Sequence, residues 1–590
     1  MQDIFNRKKE SFLLLEKYTD NSVSDFNQIR DYIRQKFHYW YHGSDKQEEG
    51  DNSSHHKDDS QQIKITEQLP DLIRLQKSAL IPFIRQDVNF ILQDIHKKNF
   101  YIPQPIYSSP SSFISVNNLE HLKEFFDFDP NSGSYPSNAF EVCLQHFYQF
   151  TRFENYLQVM AFHPQYLEVY LKLFNQLFVE DLPIKQDLRY FLALIAAAEM
   201  RCEYLVNLFA RHFISNGGDP EFLRGIKMLP SKWKRLLPLN IKLAHHPWTM
   251  NKEEIYHLTH RNASLNESQD VFSVNEILLA IIIMSHVHSL SCFIYGCGIT
   301  PELDHPNALR KREFLDCFET ILNDQPDLQT HPDSSTDIPN EEVVMKQFLE
   351  ILKLNVISIS NDDDSIHEQF QKVCDFNAKL DRFQSSEWLE IANRRTIEMS
   401  NLEIISLFLQ NKMSGYSSFT GTPRQFQDSD WIDECIPLVD QLCCEIASCL
   451  DMTSKAAYEL TYHRVNDVDN VDTSAYRLTI WNIVLSFFGL FNDEFNYEKI
   501  NQLLPLKERA YLKRCFTRPY EIQIPTIKQD GTYIKSPYNY ADLMPALRPS
   551  EVVHVMIMAM EARRQACLFY ALKSTSECQS MSSHPPDFQS

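Results

Sequence analysis

Between residues 66 and 300, apolar side chains recur every three or four positions. The segments are Phe140–Phe153, Tyr156–Phe178, Asp187–Ile214 and Asn275–Phe293, and the period is that of helices burying one face or all of it. The pattern returns after Trp431, in Ile432–Leu450, Ala475–Leu490 and Ser550–Lys573. Polar segments separate and flank these regions. Asn323–Asn340 holds three prolines and four aspartates, Asn361–Ser365 is an acidic run, and Ser414–Asp430 reads as a loop. The expected fold class is all-α, with two globular helical domains, 66–300 and 431–573, joined by a partly disordered helical linker over 301–430. Residues 1–65 should hold a helix and then a disordered Ser44–Lys64 tract, and 574–590 a disordered tail. The β signal picked out is Asp530 with Gly531, a hairpin turn pair between Ile524–Ile527 and Thr532–Ile534.

Composition narrows the class of function. At 590 residues the chain exceeds one ordinary core, and 43% hydrophobic content with only 12 glycines suits packed helices rather than disorder. A net charge of −22, with no lysine- or arginine-rich stripe, argues against nucleic acid as a partner. The 13 cysteines are scattered without a CxxC, as expected where thiols stay reduced. The first residues lack an apolar segment long enough for secretion, so the sequons at Asn52, Asn262 and Asn266 are expected to be unused. The longest apolar run, Ile277–Met284, is far shorter than the roughly 20 residues of a membrane span. The expectation is a cytoplasmic protein, with passage to the nucleus left open, and with neither membrane nor nucleic acid as a partner.

The densest chemistry lies in Asp187–Leu223, where Cys202 precedes Tyr204 and the run ends in Ser215–Pro220. A thiol there needs a base or a positive helix end to become a nucleophile. Position 209, two helical turns on, would suit a proton-accepting histidine, but holds Phe209; His212, ten residues from Cys202, lies about 80° round the helix from it. The segments Glu199–Val206 and Asn216–Leu223 resemble the sestrin family. So, in the same order, do Tyr101–Pro105, Leu243–Trp248, His286–Leu290 with Gly296–Ile299, Ile480–Asn482 and Ser550–Val555, covering roughly residues 66 to 573.

The resemblance implies domains with cores similar to alkylhydroperoxidase D and the carboxymuconolactone decarboxylase-like proteins. It carries a peroxide-reducing cysteine and tyrosine onto Cys202 and Tyr204, while the family's histidine falls on Phe209. Any peroxidase activity is therefore expected to be weak, and the alternative reading is a buried, inert thiol. In the C-terminal domain the resemblance implies a leucine site. Glu551 meets the ammonium, Arg477 the carboxylate, and Thr461, Tyr462 and Thr473 close over the ligand. Arg464 stands where the family has a threonine and Met544 where it has a tryptophan, which leaves selectivity open. Asp493 and Glu494 match an acidic pair that meets a GATOR-type regulator complex upstream of the TOR kinase complex.

No cofactor is implied. His245 with His246, and His286 with His288, are splayed by their spacing and lack carboxylate or cysteine partners at ligand spacing, so no metal site is expected. The favoured reading is a stress- and amino-acid-responsive regulator acting by association. The alternatives are a thiol-dependent alkyl hydroperoxide reductase centred on Cys202 and a ligand-independent scaffold.

Overall fold

A computed structural model of the chain describes residues 69–98, 100–119, 121–122, 138–260, 271–305, 308–309, 341–357, 363–380, 386–410, 415–524, 526–527, 533–534 and 543–583. The helix expected within 1–43, the Ser44–Lys64 tract, Asn323–Asn340 and the Asp530–Gly531 turn lie outside these residues. The longer helices are α1 (Pro82–Lys97), α2 (Asn138–Phe150), α3 (Asn155–Met160), α4 (Pro164–Phe178), α5 (Gln186–Glu199), α6 (Glu203–Ser215), α7 (Leu237–His245), α8 (Lys252–Thr259), α9 (Val274–Gly296), α10 (Glu341–Leu352), α11 (Asp363–Leu380), α12 (Ser386–Asn401), α13 (Cys444–Glu459), α14 (Ser474–Phe487), α15 (Leu506–Thr517) and α16 (Pro549–Ser583). Strands occur as two-residue pieces: β1 (Arg424–Gln425), β2 (Arg464–Val465), β3 (Val468–Asp469), β4 (Leu490–Phe491), β5 (Thr526–Ile527) and β6 (Tyr533–Ile534). β1 pairs parallel with β4, while β2 with β3 and β5 with β6 pair antiparallel. The fold is all-α, and the β5–β6 pairing matches the hairpin read from the sequence.

The chain divides into two compact units. One comprises Met1–Leu171, Ile299–Ser335 and Pro525–Lys535; the other comprises Lys172–Gly298, Thr336–Ile524 and Ser536–Ser590. The first unit is fastened by buried charge. Arg152 grips Asp304 with both terminal guanidinium nitrogens, at 2.6 and 3.0 Å, and Arg74 Nε lies 3.2 Å from the same carboxylate. Burial beside Arg152 pulls the Arg74 guanidinium down to about 10. The segment carrying Asp304 is tied again at Asn155, whose backbone N–H donates to Glu302 at 2.7 Å and whose side chain donates to the Thr300 carbonyl at 3.0 Å.

The second unit is built round α9 and α16, which pack on each other and against α5, α13, α14 and α15. α9 starts at a capping box: the Glu276 N–H donates to the Ser273 hydroxyl at 3.1 Å, and the Ser273 N–H to the Glu276 carboxylate at 2.7 Å. By length and composition alone α9 could cross a membrane, but its apolar stretch is wholly buried by protein. A helix apolar on every side needs such cover, and Ile277 to Gly296 obtain it. α16 is covered similarly: its buried Glu561 pairs with Arg564, which also donates to Thr453 at 2.5 Å, while its buried Arg563 donates to the Phe516 and Ala244 carbonyls.

Four expected element bounds shift, each for a local reason. Tyr156–Phe178 splits into α3 and α4 because Pro164 starts a new helix, a position where its missing N–H costs nothing. Asp187–Ile214 splits at Met200–Cys202, where Arg201 takes φ 53°. Ile432–Leu450 becomes a π-helical turn over Asp430–Cys435, a short helix Ile436–Asp440 led by Pro437, and α13, because proline cannot donate to the preceding turn. α16 runs ten residues past Lys573 because Thr575 and Cys578 still face protein.

Candidate functional site

Cys202 occupies the N-cap of α6, the end where a helix dipole favours thiolate. Burial overrides that benefit. The residue is 1% exposed, and desolvation pushes its thiol up to about 12 against the smaller pull of the Leu205 backbone N–H and the Ser291 hydroxyl. Phe209 is fully buried and stacks on Phe178 at 5.7 Å, and His212 stacks on Tyr190 at 5.0 Å. Tyr204 is half-buried in the first turn of α6. At pH 7 such a thiol holds about one part in 10⁵ as thiolate. Cys202→Ser is therefore expected to leave hydroperoxide turnover of the full chain unchanged in a coupled assay; loss of turnover in the variant would overturn the inert reading.

The paired histidines have separate partners: His245 Nε2 meets Glu199 at 2.9 Å, His246 meets Ser417 at 2.9 Å, and His288 meets Asn240 at 2.9 Å. His286 lies 3.5 Å from Arg564, and burial beside that guanidinium lowers it to about 3.

In the C-terminal half, Glu551 and Arg477 each keep partners of their own. α16 opens with Arg548 at the N-cap and Pro549 at the first helical position, which places Glu551 third, where an acid can reach back to the cap. Its Oε2 accepts the Arg548 N–H at 2.8 Å, and its Oε1 accepts the backbone N–H of Asn466 at 2.7 Å. Asn466 sits at the tip of the β2–β3 hairpin with φ 52°, a conformation asparagine tolerates better than most residues. Arg548 adds a second tie, donating from Nε to Asn466 Oδ1 at 2.8 Å and pairing with Asp467. The Asn466–Asp467 tip and Arg548 were missed in the sequence. The available signal was a turn-prone pair between Val465 and Val468.

Arg464 turns into its own hairpin, donating to the Asn466 carbonyl at 2.8 Å and lying 3.4 and 3.5 Å from Asp467 and Asp469. Arg477 donates to the Tyr458 carbonyl and, at 3.2 Å, to the Thr473 hydroxyl. Its charge reaches His554, one turn along α16 from Glu551, and the Glu551 charge reaches Tyr476, the residue before Arg477. Thr461 accepts the His463 N–H at 3.2 Å, Tyr462 is 54% exposed, and Met544 is buried. Burial raises the Glu551 carboxyl above its ordinary value, with the two N–H bonds pulling back.

One acid nearby is displaced much further. Glu508, on α15, accepts the Tyr476 hydroxyl at 3.4 Å, and burial raises it to about 8. A carboxyl raised in the fold binds its proton more tightly there than in the unfolded chain. Its contribution to stability is complete below about pH 4.5 and disappears as pH rises through 8. Urea midpoints should fall across that window, and Glu508→Gln should flatten the fall.

The acidic pair follows β4. Both Asp493 oxygens are engaged, by Gln425 and Gln427, each at 2.7 Å. The Glu494 N–H donates to Asn492 Oδ1 at 2.8 Å, and the Glu494 side chain is exposed. The strand pair brings these groups together: Gly489 takes φ 76° between α14 and β4, and a Cβ there would strike the Phe419 ring.

Fold and site together define an all-α protein whose last long helix begins at a carboxylate clamped by a short hairpin. The family model described as PA26 p53-induced protein (sestrin) matches residues 130–579. The chain belongs to the sestrin family. It is 29% identical to Sestrin-1 of Xenopus laevis, over 80% of this chain and 92% of that one. It is 30% identical to Sestrin-2 of Homo sapiens, over 72% and 83%, and 29% identical to the Sestrin homolog of Drosophila melanogaster, over 70% and 90%.

Proposed function

We propose that this chain is a sestrin-like stress- and amino-acid-responsive regulator that restrains TOR signalling by holding a GATOR-type complex and is released by leucine or a similar amino acid. The observation that carries the reading is Glu551, a half-buried carboxylate held by two backbone N–H groups, one of them at the hairpin tip. Each carboxylate oxygen has two acceptor positions, so a ligand ammonium can bind while those bonds persist. Arg477 supplies the charge for the ligand carboxylate.

α14, about 21 Å long, carries Arg477 near one end and leads through Gly489 to Asp493 beyond the other. A ligand that draws the 461–473 segment inward shifts that helix and, with it, the acidic surface. Asp493 fixes β1 to β4 through the two glutamines, and Glu494 presents its charge to a basic partner. The ligand changes partner affinity only by as much as it prefers one arrangement over the other.

Calorimetry of the full chain with leucine, isoleucine, valine and methionine tests the reading. Heat with one or more, together with weaker capture of the regulator complex, supports it. Four flat traces leave a ligand-independent scaffold.

A further inference from the structure

The twelve described cysteines are unequal: ten are buried, Cys443 is half-exposed and Cys444 is exposed. These two are adjacent at the start of α13, Cys443 as the N-cap in an extended conformation and Cys444 as the first helical residue. Adjacent side chains on a regular element point apart. Here they converge, because both sulfurs lie 3.2 Å from the same oxygen, Glu445 Oε2. The two sulfurs are therefore at most about 6.4 Å apart, and rotation about each Cα–Cβ bond can shorten that distance without moving the body of the helix.

We propose that Cys443 and Cys444 are a reversible modification site, closing to a vicinal disulfide when the chain meets a hydroperoxide. One thiolate attacks the peroxide, the O–O bond breaks, and an alcohol leaves with the first thiol's proton, giving a sulfenic acid. The neighbouring sulfur attacks that sulfenic sulfur and expels water. Overall, two thiols and one hydroperoxide become one disulfide, one alcohol and one water; sulfur loses two electrons and the peroxide gains them. Adjacent Cα atoms lie about 3.8 Å apart, closer than the usual 4.4–6.8 Å of disulfides. The ring is strained, and a strained, exposed disulfide is readily reduced again.

Glu445 sets the pace. Its carboxylate accepts both thiol protons, and the Cys444 thiol is raised by it first of all causes. The Cys443 thiol is raised by burial first and by Glu445 in addition. The site therefore responds to sustained oxidant rather than turning over rapidly, and it works faster at higher pH.

The test is to treat the full-length protein with an alkyl hydroperoxide, alkylate the remaining thiols and map the peptides by mass. The expected product is a peptide holding Cys443 and Cys444, unalkylated and lighter by two hydrogens, restored by a dithiol reductant, with Cys202 alkylated only after unfolding. Cys443→Ser should abolish this product and leave a trappable sulfenic acid on Cys444. Glu445→Gln should speed closure by about threefold for each unit by which the thiols fall, since the gain in thiolate is partly offset by weaker nucleophilicity. Full alkylation of the pair while buried cysteines oxidise, a bond from Cys443 to Cys449 instead, or an unchanged rate in Glu445→Gln would overturn the proposal.

Discussion

Glu551→Ala is expected to abolish the heat that leucine or a similar amino acid gives with the intact chain, and to lower stability by about 2 kcal/mol. The stability loss follows from removing a charged acceptor from two backbone N–H groups, those of Asn466 and Arg548, in a half-buried place. Glu551→Gln separates the two roles. The amide oxygen can accept one of the two N–H groups while its NH2 faces the other, so Glu551→Gln should recover only part of the stability lost in Glu551→Ala, and the charge that holds an ammonium is lost as well. Equal amino-acid binding by both variants and the natural protein would remove Glu551 from the site.

The second large effect concerns the other unit. Asp304→Ala strands Arg152 in the interior and leaves Arg74 only Asp71 and the Thr151 carbonyl, and removing one member of such a buried set costs about 3–5 kcal/mol. Urea unfolding measures this directly. A loss below about 1 kcal/mol would mean that water or other groups replace the carboxylate. Because Arg152 is gripped at two points, Asp304→Asn should recover only part of the loss.

Helical periodicity made the fold class legible, and the ordered sestrin-like segments made the family legible. Where elements end was less legible, because the deciding signals are single residues working in context. Pro164 and Pro437 reset helices at the points where they stand, and Arg201 breaks a helix with a backbone angle its side chain does not announce. α16 outlasts its apolar pattern because Thr575 and Cys578 are covered by protein, which the polar composition of the tail conceals. The candidate site was half legible. Glu551 reads as a helix-start acid in the sequence, and it is one. Its second bond joins residues 85 positions apart, and no local pattern encodes such a pairing. Arg464 illustrates the same limit, since its partners, Asn466, Asp467 and Asp469, lie within its own hairpin, a turn the sequence pattern did not single out.

The wholly buried α9 sets a condition on how the protein is made. It leaves the ribosome as one of the greasiest segments of the chain, yet α16, which covers it, begins only after about 250 further residues. At roughly 5–20 residues per second, that interval lasts on the order of 10–50 s. During that time a segment fit for a lipid bilayer lacks its main cover, so the nascent chain should be a client of chaperones, and truncations before Pro549 should aggregate rather than accumulate as smaller folded proteins.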